Sequence, residues 1–141
     1  SASSAKYVVH ARGTTRAHLV RAALEAIVGD VSSCSALVFA TFTTEVSLRG
    51  DLPAFVQKLT SGPLPVVFVS FGNPYLLKDF PGVAAFLAAF STAAPSEVSV
   101  VKALAGEIPI TGRLPVTIPN FAVYGDGIQL PAKTRPAPSV N

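Results

Sequence analysis

Two apolar runs constrain this chain more than anything else in it: Ala36-Leu37-Val38-Phe39-Ala40-Thr41-Phe42 and Val66-Val67-Phe68-Val69-Ser70-Phe71. Neither alternates polar with apolar residues, and strands covered on both faces of a parallel sheet read this way. The segment between them carries a helical signal. Asp51 stands where an N-cap is needed, Pro53 is tolerated in a first turn, and Leu52, Phe55, Val56 and Leu59 share one helical face. Ser61-Gly62-Pro63 ends it. Strand, helix and strand in that order give the crossover that a parallel pair requires.

The same alternation extends to either side. Tyr7-Val8-Val9 is a short strand candidate, and Thr14 or Thr15 can cap a helix whose apolar face is Val20, Ala23, Leu24 and Ile27, stopped by Gly29. Pro95 opens a helix through Leu104, with Val98, Val101 and Ala105 on one face and Gly106 beyond its end. Leu114 to Ile118 is expected to be a short strand, at an edge because Pro115 interrupts it. Ala84 to Phe90 reads two ways: its alanines favour helix, while its length suits a buried strand. The pattern predicts an α/β fold with a mostly parallel sheet. One domain is expected over residues 1–130, followed by an irregular proline-rich tail over 131–141.

Composition narrows the function classes. Half of the residues are hydrophobic and 13% are charged, enough to fill a core and incompatible with a disordered chain. The formal net charge of +3 comes from scattered bases, with a loose group at Lys6, Arg12, Arg16 and Arg21, so no nucleic-acid partner is expected. No apolar run approaches the ~18 residues of a membrane span. Cys34 is the single cysteine and has no basic neighbour to activate it, which reads as a packed or loop thiol. Starting at Ser1 and lacking methionine, the chain is expected to be a processed or excised piece, and the compartment of its parent is unreadable.

Several chemistries are absent. No G-x-S-x-G elbow accompanies the histidines, and Gly125-Asp126-Gly127 lacks the third glycine and following helix of a dinucleotide site. His10 and His18 are eight residues apart without nearby acidic partners, so no metal site and no cofactor is expected.

Three segments, in order, carry a resemblance. Val67 to Leu76 reads V-F-V-S-F-G-N-P-Y-L, Ala88-Ala89-Phe90-Ser91 is followed by Pro95, and Leu104-Ala105-Gly106-Glu107 precedes Gly112-Arg113-Leu114-Pro115-Val116-Thr117-Ile118-Pro119. Together they resemble the C-terminal domain of glycoside hydrolase family 3, nearest its β-N-acetylhexosaminidase branch. The resemblance implies that Ala84–Phe90 is a core strand and that the fold is a three-layer α/β/α sandwich. It also implies an N-terminal (β/α)8 barrel as partner, carrying the aspartate nucleophile and the His–Asp acid/base pair that hydrolyse O-glycosyl bonds. Amino-sugar oligosaccharides would be the substrate class. Lacking the barrel, the chain is expected to be an inactive structural domain.

A retaining glycosidase needs two carboxyl groups about 5–5.5 Å apart. Most acids here have plain structural roles: Glu25 on a polar helix face, Asp51 as a cap, Glu97 in a helix's first turn, Glu107 and Asp126 in glycine turns, Asp30 and Asp79 in loops. No residue is assigned to catalysis outright, and the candidate is Glu45, which follows a buried strand where open α/β sheets place ligand crevices. The β-glucosidase branch draws its acid/base glutamate from about this loop; the alternative is a solvated or interface glutamate. Asn73 and Tyr75 are candidates to face a sugar or the barrel, or else to turn the chain. Two other functions stay open: a half-site domain supplying Glu45 to a β-glucosidase-like enzyme, and a stand-alone carbohydrate- or protein-interaction module.

Overall fold

A computed structural model describes residues 34–42 and 52–133. The helix expected around residues 14–29, the strand at 7–9, both histidines, Asp51 and Glu45 lie outside them. The chain divides into two compact units, Ser1–Thr92 and Ala93–Asn141.

Among the described residues the first unit holds three parallel strands, β1 (Leu37–Thr41), β2 (Val66–Ser70) and β3 (Ala85–Ala88), in the order β1-β2-β3. Helix α1 (Leu52–Thr60) connects the first two, and a 3-10 helix, Pro74–Asp79, lies between the second and third. This is a mixed α/β fold. Register pairs Leu37 with Val66, Phe39 with Phe68 and Phe68 with Phe86, so these side chains share one face. That face packs with Val56 of α1 and with Leu76 and Phe80 into a core whose centre, Phe68, has no exposed surface. The rings of Phe39, Phe80 and Phe86 lie 5.4, 5.0 and 5.6 Å from that of Phe68. β-Branched and aromatic residues explain β2 as the central strand, because they fill a pleated surface covered on both sides.

β1 differs from expectation. Phe39 and Thr41 are buried but Val38 is 46% exposed, so this strand is open on one face. Among the described strands β1 lies at an edge with one hydrogen-bonded neighbour, which leaves part of its second face uncovered. Within Ala84–Phe90, Ala85–Ala88 form β3, a strand as the family resemblance implies. Among the described strands it lies beside β2 alone, with Ala85 exposed and Phe86 to Ala88 half-buried.

The second unit opens with α2 (Ala94–Ala105), which has Pro95 in its first turn and ends at Gly106 in the left-handed conformation, φ 76°. The expected apolar face is exposed: Val98 at 55%, Val101 at 59%, and Ala105. Val100 is the buried valine instead. The sequence APSEVSVVKALA is apolar on several sides, so spacing alone does not select the inward one.

Leu114–Ile118 does not form the expected strand. Residues 110–130 instead fold back as an antiparallel ribbon. Ile110 exchanges both backbone hydrogen bonds with Leu130, Leu114 bonds with Asp126 and Gly125, and Ile118 exchanges bonds with Ala122. Each step of four along the first limb is matched by four back along the second. At the tip, Pro119 and Asn120 (φ 68°) occupy the central positions of a turn, as in type II, closed by the bond from Phe121 N–H to the Ile118 carbonyl. Gly125, at φ 88°, donates to the Leu114 carbonyl while Leu114 donates to Asp126, the pattern of a β-bulge led by a left-handed glycine. A Cβ on Gly127 would collide with the Gly112 carbonyl oxygen, so the limbs pinch together there. The bulge and the interposed prolines break the ladder into separate pairs, and regular strand never develops.

Candidate functional site

The C-terminal ends of parallel strands are where open α/β folds bind ligands, and here three strands end side by side at Thr41, Ser70 and Ala88. The ladder runs a little further: Phe71 N–H donates to Thr41 O, and Ala89 N–H to Ser70 O, each at 2.9 Å. Phe42 and Phe71 continue the first two strands, and their rings stack with centroids 4.3 Å apart and planes 1° from parallel. Thr41, Ser70 and Asn73 make this rim polar yet buried, none more than 6% exposed.

Asn73 is held by its backbone and its side chain. The Ser70 hydroxyl donates to its carbonyl, and its Oδ1 accepts from Tyr75 N–H at 2.9 Å, capping the 3-10 helix. Gly72, at φ 116°, supplies the sharp departure from β2 that brings Asn73 under the rim. Asn73 Oδ1 is therefore engaged with the chain's own backbone, while the Tyr75 side chain, 36% exposed, lies at the surface beside it. The structure thus brings the two sequence candidates together as cap and capped residue. Glu45 lies outside the described residues.

Two features of this region escape sequence reasoning. Phe90 adopts φ 51°, a left-handed conformation uncommon for a bulky side chain, just beyond β3. Asp79, expected in a loop, ends the 3-10 helix, and its Oδ2 is buried without a hydrogen-bond partner. Neither leaves a signature in residue order, because both depend on how distant segments pack.

Chemically, the rim offers hydroxyl, amide and phenol groups. Among the described residues no group of three His, Cys, Asp or Glu side chains is placed to hold a metal ion. Glu97 occupies the first turn of α2, where a carboxylate suits the helix dipole, and Asp126 accepts from Val123 N–H within the ribbon turn. Among the described residues no helix is long and apolar enough to cross a membrane. In comparisons with protein-family models, curated proteins and solved structures, the chain matches none.

Proposed function

We propose that this chain is the C-terminal domain of a family 3 glycoside hydrolase of the β-N-acetylhexosaminidase type, a support for a catalytic (β/α)8 barrel. The observation that carries the reading is β3. Composition leaves residues 84–90 open between helix and strand, and the family resemblance alone implies strand; the chain pairs there, parallel to β2. The V-F-V-S-F-G-N-P-Y-L segment adds support, since it runs as the central strand straight into a buried, side-chain-capped turn.

A three-layer α/β/α arrangement is part of the same proposal. Connections between parallel strands that advance in one direction are right-handed and lie on one side. In keeping with this, residues of α1 and of the 3-10 helix enter one core. The opposite face carries Val38, Ala40, Val67, Val69, Ala85 and Leu87, with no polar side chain among them. A face of that composition is stable in water only under a second layer.

In this reading the barrel supplies nucleophile and acid/base, the substrate is an amino-sugar oligosaccharide, and the present chain supplies neither catalytic carboxylate. The purified chain is expected to leave aryl N-acetylglucosaminides intact over prolonged incubation. Turnover that persists through repurification would end the support reading. Sequencing upstream of Ser1 tests the family itself, with a (β/α)8 barrel carrying an aspartate nucleophile as the expected result and any other fold as the refuting one.

A further inference from the structure

Asp126 and Gly127 lie exposed on the second limb of the ribbon, and this dipeptide carries a chemistry of its own. The backbone nitrogen that follows an aspartate can close a five-membered ring on the aspartate's side-chain carbonyl carbon. A Cβ on the following residue obstructs that approach, and glycine has none. Of the four aspartates, Asp126 alone precedes a glycine; Asp30, Asp51 and Asp79 precede Val31, Leu52 and Phe80. Asn73 and Asn120, which could close the same ring, are no better placed. Asn73 precedes a proline, which has no N–H to lose, and Asn120 precedes Phe121.

Three features of the ribbon favour closure at Asp126. Val123 N–H donates to its Oδ2 at 2.8 Å, which draws electron density from Cγ and steadies the negative oxygen that attack creates. Leu114 N–H donates to the Asp126 carbonyl at 2.7 Å, which polarises the peptide group whose N–H must be lost. Gly127 N–H has no acceptor among the described residues, so no hydrogen bond has to break before it leaves.

We propose that Asp126-Gly127 is a site of spontaneous isomerisation in the folded chain, converting Asp126 to isoaspartate. The Gly127 nitrogen bonds to Cγ of the protonated carboxyl group and gives up its hydrogen, and the carboxyl hydroxyl departs with that hydrogen as water. Water then opens the succinimide. Opening at the original main-chain carbonyl leaves Gly127 joined through the side-chain carbonyl, with the α-carboxylate free. One water leaves and one enters, so mass is unchanged and no oxidant or reductant is needed. The product has one more carbon in its main chain between Asp126 and Gly127, and the carbonyl that accepted from Leu114 N–H has left the backbone. The pairs at Leu114 and Ile110 then no longer fall in step. The inference is independent of the family reading.

Peptide mapping of the full chain, kept folded for several weeks at neutral pH and body temperature, decides it. Tryptic peptide 114–133 is expected to separate into two species of equal mass, only one of them cut by a protease that requires ordinary aspartate. Isomer at Asp126 is expected to exceed that at Asp30, Asp51 or Asp79 by about tenfold or more, as the absent Cβ dictates. An isoaspartyl methyltransferase with S-adenosylmethionine is expected to label the stored chain and not the fresh one. Asp126→Glu, whose ring would be six-membered and slow to close, is expected to abolish the label, and Asp126→Asn, which expels ammonia, to hasten it. Hydrogen exchange at Leu114 N–H is expected to quicken as isomer accumulates. The proposal is overturned if the folded chain stays unaltered while the urea-unfolded chain isomerises, if the other aspartates isomerise as much, or if the label survives Asp126→Glu. The map of the unsubstituted chain decides even where a variant fails to fold.

Discussion

Asn73 is a small polar residue in a buried place, 6% exposed, and its Oδ1 is committed to Tyr75 N–H. Removing it strands that donor at the start of the 3-10 helix. Asn73→Ala is therefore expected to lower unfolding free energy by about 1 kcal/mol, as lost caps generally do, with Asn73→Asp recovering most of it. Urea titration of the three proteins checks this. Gly127 is governed by space: a Cβ there meets the Gly112 carbonyl oxygen, a backbone atom that cannot swing aside. Gly127→Ala is expected to open the ribbon, read as faster hydrogen exchange at Ile110, Leu114 and Leu130 N–H. Unchanged protection would show the pinch to be unimportant. Sequence indicates turns at 72–74 and 125–127 through their glycines and Asn-Pro, but it does not disclose that one glycine faces another fifteen residues away.

At the level of elements, α2 starts at Ala93 without a side-chain cap; Pro95 has no N–H to offer, and the Ser96 N–H donates to the Ala93 carbonyl at 2.9 Å. Ala93 is exposed, so a larger residue meets no obstacle. Ala93→Asp is expected to raise stability by about 0.5 kcal/mol, through a charge favourable to the dipole; thermal unfolding measures it, and a lower midpoint would refute it. The helix shows how far periodicity reaches. Its limits were readable from Pro95 and Gly106, whereas its inward side was not, since a sequence with apolar residues on several sides selects none of them by spacing. The strands were readable for the opposite reason. Val66–Ser70 carries β-branched and aromatic residues in a run too short for a helix. The ribbon was not, because its pairing relies on prolines falling where no N–H is required and on a left-handed glycine at the bulge. Both facts belong to register, and register is a relation between segments rather than a property of either.

For the whole molecule, a core centred on Phe68 and ringed by Phe39, Val56, Val66, Leu76 and Phe80 carries the first unit. Phe68→Ala is expected to cost about 3–5 kcal/mol, enough to unfold a small domain of ordinary stability, so loss of the cooperative melting transition is the expected result and a shift of a few degrees the contrary one. The candidate site was legible only as residue types. Asn73 and Tyr75 stand out in the sequence by their place after a strand, yet which of them is buried was decided by Gly72, Ser70 and the strand ends around them.

Strand order follows chain order, β1 beside β2 beside β3. During synthesis each later one of these three strands therefore finds its template already laid down, and none of the three has to wedge between two earlier neighbours. Nascent chains released at about residue 75 and about residue 92 should accordingly differ by one added edge, growing like a course of bricks rather than closing like a clasp.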